Sequence, residues 1–151
     1  YVIEPDDCFI CAIADPQAKE KLIQRVLDKD GKFINVIHNS AIIHPTASVG
    51  QGNILCPQVH IHDHAQIGDF VTFNGRSGVG HDANIADYSS LMGTVDITGY
   101  VKVGKRTFWG SGARVVPHSR VDDDAVIGIG SVVLRRVRAG VTVFGNPAMP
   151  I

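Results

Sequence analysis

Leucine is scarce in this chain, at 5 of 151 residues, although it is ordinarily among the commonest. The apolar mass comes instead from 35 valines and isoleucines, which are stiff at χ1 and favour strands, so a helical bundle is excluded. Aromatic residues make up only 7%, and the interior must be filled by smaller groups. No charge sign dominates: 14 Lys and Arg face 15 Asp and Glu, which gives no sign of a nucleic-acid partner. No apolar run approaches the roughly 18 residues of a membrane span, and the first residues lack the pattern of a signal peptide. Three cysteines cannot all pair with one another. Cys8 and Cys11 form a CxxC without a second pair, inside an apolar stretch (8–14) that predicts buried strand thiols rather than a zinc or redox centre. A reducing, cytoplasmic setting is expected.

What is abundant is order. Stepping by six from Ile37 through Ile43, Val49, Leu55 and onward to Val133 meets seventeen consecutive large apolar residues. Such types are 49 of the 151 residues, so chance would give this run with a probability on the order of 10⁻⁸ over all registers. Positions four further on are small or β-branched except for Asn53, and glycine follows the apolar residue at 50, 68, 80, 104, 110 and 128. A period of six drifts around a 3.6-residue helix, so no amphipathic helix explains it. A large inward residue, a small inward residue and a glycine at the turn describe one side of a prism. Three sides make an 18-residue coil, and coils stack at about 4.8 Å. This pattern resembles the hexapeptide-repeat acyltransferases. The resemblance implies a mainly β fold, a left-handed parallel β-helix, that assembles as a homotrimer with active sites between neighbouring prisms.

Before the repeat, Asp15 is a good N-cap with Pro16 at the first helical position, and Gly31 marks the stop. Leu22, Ile23, Val26 and Leu27 form an apolar face, with Lys19, Lys21, Arg25 and Lys29 opposite. Flanking strands at Cys8–Ala14 and Lys32–Ile37 complete a βαβ unit, which is placed as the cover on the front of the stack. The unit is too small to be a domain by itself, and residues 1–36 read like the end of one. Residues 37–151 form the β-helix, with a capping strand and turn around Val141–Ala148. Further residues upstream of Tyr1 are expected.

Seven histidines are the candidates for chemistry. His60, His62 and His64 alternate around Ile61, an inward position, so His60 and His62 should face solvent rather than hold a structural metal. A zinc-dependent β-helix like the γ-class carbonic anhydrases would need another histidine soon after His118, and positions 119–124 offer none. His81, followed by Asp82, falls at an outward position after Asn74-Gly75-Arg76-Ser77-Gly78-Val79-Gly80. An imidazole there can take a proton from an attacking amine or hydroxyl, and a carboxylate beside it can hold its tautomer. From strand geometry alone, Asp82 reaches His81 only if the chain bends between them.

Four stretches sharpen the resemblance: AlaIleAlaAsp at 12–15, IleHisAsnSerAla at 37–41, AsnGlyArgSerGlyValGlyHisAsp at 74–82 and GlyAsnProAla at 145–148. They resemble the sialic-acid O-acetyltransferase and nucleotide-amino-sugar N-acetyltransferase family, including the bacillosamine-pathway enzymes. That resemblance implies His81 as general base supported by Asp82, and Asn74 against the sugar. It also implies acetyl-CoA along Ser90, Gly99, Ser111, Gly112, Ile129, Gly130 and Arg135, with no metal. Ser90 stands where some relatives carry a second histidine. The resemblance further implies that residues 1–36 are the C-terminal remnant of an N-terminal Rossmann-like nucleotide-sugar-binding domain, whose glycine-rich loop has no counterpart here and whose common strand-end glycine is replaced by Ala14. Independently of the resemblance, residues 102–138 carry eight Lys and Arg against three Asp, a patch that would attract a phosphate-bearing ligand. The expected function is acetyl transfer from acetyl-CoA to a nucleotide-linked amino sugar. O-acetylation of sialic acid or a related sugar is the alternative, and a zinc-dependent or non-catalytic trimeric β-helix is the second.

Overall fold

The computed structural model describes residues 1–151. The hexads form a parallel β-solenoid in which almost every strand is two residues long. Each strand pairs with the one 18 residues on, in register: Val36 with Ile54, Ile42 with His60, Ser48 with Gln66. Three faces result. The first starts at Val36–Ile37 and gathers eight strands, the second starts at Ile42–Ile43 with six, and the third starts at Ser48–Val49 with five. The second element of each pair is the hexad residue, and from Leu55 upward these are buried in one continuous column that includes Phe73, Trp109 and Ile127.

Polar residues inside the prism are fully used. Asn53, the exception in the small register, accepts from Val71 N at 2.7 Å and donates to Gly68 O at 3.0 Å, bridging coils as a backbone group would. The indole of Trp109 donates to Thr107 Oγ1, which in turn meets Ser89 Oγ, each at 2.9 Å. No buried side-chain polar atom lacks a partner, which removes the main penalty for burying them.

The corners differ from the expectation. Twelve non-glycine residues adopt positive φ, and all but Asp30 sit at coil corners, among them Arg76, Asp82, Tyr88, Tyr100 and His118. The left-handed corner residue is therefore mostly not glycine, and continuous coil-to-coil hydrogen bonding holds it there against a cost of about 1–2 kcal/mol per residue. The glycines that follow the apolar positions serve another need. A Cβ at Gly110 would lie 2.5 Å from Ile129 N, so it is the close approach of the next coil that excludes a side chain.

Helix α1 (Pro16–Leu27) begins as expected, with the Asp15 carboxylate accepting from Ala18 N at 2.7 Å. Strand β1 is only Cys8–Phe9, paired in parallel with β2 (Lys32–Phe33). Cys8 is exposed and Cys11 and Cys56 are half-buried, so the expectation of buried strand thiols fails: the strand is too short to enter a core. The helix does not cover the front of the stack either. It lies along the outside of the first face, leaving Val36, Ile37 and Ile42 of the opening coil 43–58% exposed. Lys19, placed by its sequence on the polar side, is buried completely with Ile23. Its ammonium donates to Ser90 Oγ at 2.7 Å, Thr72 Oγ1 at 3.0 Å, Ser89 O at 3.2 Å and Phe70 O at 3.3 Å. Arg106 fixes the same helix by pairing with Glu20 at 3.4 Å while holding Asp124 at 2.7 Å. At the other end, Thr142–Phe144 joins the first face and Met149–Pro150 turns back against it antiparallel, the expected cap.

Candidate functional site

Two prism edges flank the second face, and the site residues divide between them. His81 stands on the edge where the second face turns into the third, just after the strand Gly78–Val79. The bend that Asp82 needed is present: its φ of 57° is the left-handed corner, and it swings the carboxylate back so that Oδ2 meets His81 Nδ1 at 2.9 Å. An ionised carboxylate accepts only, so this contact places the proton on Nδ1 and leaves the Nε2 lone pair free. The imidazole is about half exposed, open to a substrate.

One coil up, Gly99 lies directly against the ring. A Cβ there would come within 2.8 Å of Nε2, 3.0 Å of Cε1 and 3.2 Å of Cδ2, so a side chain at this position would push the ring from where it lies. Tyr100 follows, its ring perpendicular to His81 at 4.9 Å between centroids, and His118 stacks on Tyr100 at 4.7 Å. Composition and spacing did not single out Tyr100. The signal available was its position, one 18-residue coil after Asp82 in the register already established. Arg135 occupies the same edge near the top, exposed, beside a cavity of about 560 Å³ lined by Val133, Leu134, Val143, Pro147 and Met149.

Asn74 is on the other edge, where the first face turns into the second, in a column with Cys56 and Met92. Its amide donates to Met92 Sδ at 3.4 Å, and its Oδ1 accepts from Cys56 Sγ at 3.6 Å. Above it on this edge come Ser111, Gly112, Ile129 and Gly130. Gly112 and Gly130 take the left-handed position, with φ of 72° and 65°, that Arg76 and Thr94 fill in lower coils. A Cβ on Gly130 would meet nothing within 4 Å, so the upper part of this edge is open. Ile129 is 64% exposed, an apolar side chain left beside that opening.

Ser90 belongs to neither edge. It sits on the first face with no exposed surface, and its hydroxyl is taken by Lys19, so the expected role in holding acetyl-CoA is corrected: helix α1 covers it. The basic patch is also leaner than its count. Lys105 pairs with Asp87 at 2.9 Å, Arg106 with Asp124, and Arg120 and Arg136 share Asp122 at 2.6 and 2.8 Å. Hydrogen bonds from Arg136 and Arg120 hold the Asp122 carboxyl below the usual range, as Arg106 does for Asp124. Lys102, Arg114, Arg135 and Arg138 make no ion pair and remain for an anionic ligand. His60 and His62 face solvent, and no three His, Cys, Asp or Glu side chains gather to hold a metal.

No family model matches the chain. GDP-perosamine N-acetyltransferase of Escherichia coli O157:H7 is 33% identical over 146 residues, covering 93% of this chain and 66% of that protein. The chain thus spans just under two thirds of that relative's length. Serine acetyltransferase of Helicobacter pylori is 31% identical, covering 95% of this chain and 77% of the relative. Among solved structures, a histidine mutant of perosamine N-acetyltransferase from Caulobacter crescentus, in complex with CoA and GDP-perosamine, superposes with a TM-score of 0.94 at 31% identity. That match covers 96% of this chain and 69% of the other. The solenoid is thereby the left-handed β-helix of those acetyltransferases. A six-residue apolar register, a histidine–aspartate pair at an open corner and these likenesses converge: the chain belongs to the hexapeptide-repeat sugar acetyltransferase family.

Proposed function

We propose that this chain transfers the acetyl group of acetyl-CoA to the amino group of a nucleotide-linked amino sugar, with His81 as general base. The observation that carries the reading is the His81–Asp82 contact at 2.9 Å on an exposed corner, which leaves Nε2 as the acceptor of a proton. The acceptor amine attacks the thioester carbonyl carbon and passes its proton to Nε2. The tetrahedral intermediate collapses with cleavage of the carbon–sulfur bond, and the departing thiolate takes up that proton to leave as CoA. Positioning and hydrogen bonds to the developing oxyanion supply the rest of the acceleration. GDP-perosamine as the sugar substrate of relatives supports this acceptor class. The βαβ unit formed by β1, α1 and β2 supports reading residues 1–36 as the last unit of a nucleotide-sugar-binding domain.

The site is shared between chains. Asn74 and His81 lie on opposite edges of the second face, so one chain cannot present both to the same small substrate. A trimer sets the His81 edge of one copy against the Asn74 edge of the next, with acetyl-CoA in the groove between them along Gly99, Ser111, Gly112, Ile129, Gly130 and Arg135. The test uses GDP-perosamine and a sialic acid in parallel, reading CoA release. Acetylation of the amine supports the reading, and acetylation of the sialic acid alone replaces it with O-transfer. Co-assembling His81→Ala chains with Asn74→Ala chains should restore about one quarter of wild-type activity, since a minority of shared sites then hold both residues. A mixture no more active than its parts overturns the shared site.

A further inference from the structure

We propose that Tyr100 is a positioning residue for His81, holding the imidazole at the angle from which Nε2 meets the acceptor. The inference rests on the acetyltransferase reading of His81 and deepens it. A half-exposed histidine tied only by Nδ1 to its chain neighbour can still swing about that one hydrogen bond. Proton transfer requires the acceptor atom to be held within hydrogen-bond reach of the substrate, so a swinging ring would waste its pairing with Asp82.

The next coil removes that freedom from two directions. Gly99 gives the ring a flat floor, because a Cβ there would clash with Nε2 at 2.8 Å and crowd Cε1 and Cδ2. Tyr100 gives it a wall, perpendicular at 88° and 4.9 Å from centroid to centroid, an edge-to-face arrangement favourable for aromatic rings. The wall is itself anchored. The main-chain N of Tyr100 donates to His81 O at 3.0 Å, and its φ of 61° aims the side chain outward on the same corner as Asp82. Behind it His118 stacks at 4.7 Å with only 6° between planes, and His118 N donates to Gly99 O at 3.2 Å. Core packing does not account for Tyr100, which is 46% exposed, nor does any ion pair account for His118. Their common feature is the row His118–Tyr100–His81, which runs down one edge and ends on the proposed base. The contacts are made by rings, so the phenol hydroxyl is dispensable.

The experiment compares Tyr100→Phe, Tyr100→Asn and His118→Asn in the assembled full chain. Asparagine is chosen because it tolerates the left-handed corner while deleting the ring. Steady-state kinetics are measured with acetyl-CoA and GDP-perosamine, alongside the ¹H–¹⁵N signals of the His81 imidazole without substrate. Tyr100→Phe should match wild type within about twofold, whereas Tyr100→Asn should lower kcat roughly tenfold with both KM values unchanged. The His81 Nδ1–H signal should broaden or vanish in Tyr100→Asn and persist in Tyr100→Phe. His118→Asn, which likewise suits the left-handed corner that His118 occupies, should lower kcat about threefold with the same spectral change in weaker form. An unchanged kcat and spectrum in Tyr100→Asn overturns the proposal. So does a loss confined to KM for the sugar, which would make Tyr100 a substrate contact, or a Phe variant as poor as Asn. If the chain proves inactive on both substrates, the acetyltransferase reading fails, while the imidazole spectra still decide whether Tyr100 orders His81.

Discussion

The two edges of the second face are built from the same six-residue rule and have opposite character. The His81 edge is crowded: an imidazole, a carboxylate, a tyrosine and a second imidazole fill successive corner positions and touch one another. The Asn74 edge empties as it rises, until Gly112 and Gly130 leave no side chain at the corner at all. A proton acceptor needs its neighbours close, because orientation comes from contact. A long, thin thioester ligand needs the reverse, backbone within reach and nothing in the way. On the proposed reading neither edge is an active site by itself, and the repeat permits such specialisation because corner side chains do not enter the core.

The contrast can be broken on either side. The largest effect belongs to the crowded edge: His81→Ala should reduce acetyl transfer by about 10²–10⁴-fold with the assembly intact, measured as CoA release. Retained activity would leave that edge with no chemical role.

A change away from both edges should move stability and leave catalysis alone. Burial pushes Lys19 down from 10.5 to about 8, because its ammonium under α1 has lost water. Between pH 8 and 10.5 the unfolded chain therefore binds more protons at this position than the folded one. Stability should rise with pH through that window, by on the order of 3 kcal/mol from this residue, and the gain is complete above it. Thermal unfolding of wild type and Lys19→Met from pH 7.5 to 10.5 checks this, with the rise flattened in the variant and kcat and KM unchanged at pH 7.5. Equal pH dependence in the two proteins would mean that burial leaves the Lys19 pKa where it is in the unfolded chain.

The smallest effect is expected on the empty edge. Gly130→Val should raise KM for acetyl-CoA roughly tenfold with kcat nearly constant, since a branched side chain narrows the groove and strains a left-handed corner. A fall in kcat instead would show that the empty edge, too, acts on the reacting groups.

Most of the solenoid was legible because its rule is local and repeated. Seventeen apolar positions in step define which side chains face inward, and the structure follows that register from Ile37 to Val133. The His81–Asp82 pair was legible as a pair, though its contact was not, because strand alternation predicts opposite faces and only the left-handed φ of Asp82 reverses that. Lys19 was misplaced for the opposite reason. Its helix alone gives a lysine every reason to face water, and only the first face of the prism, more than fifty residues on, offers acceptors enough to bury it. The same packing withdrew Ser90 from the ligand groove.

The sequence by itself thus determined the repeat, the inward column, the helix cap at Asp15 and the His81–Asp82 pair proposed as the proton acceptor, since each depends on spacing or on residue chemistry along the chain. Tertiary structure alone decided which side of the prism α1 covers, how Gly99 and Tyr100 enclose His81, and that Asn74 and His81 stand on different edges. Those outcomes depend on which residues meet across coils and faces, and a linear pattern specifies that only where the fold repeats it.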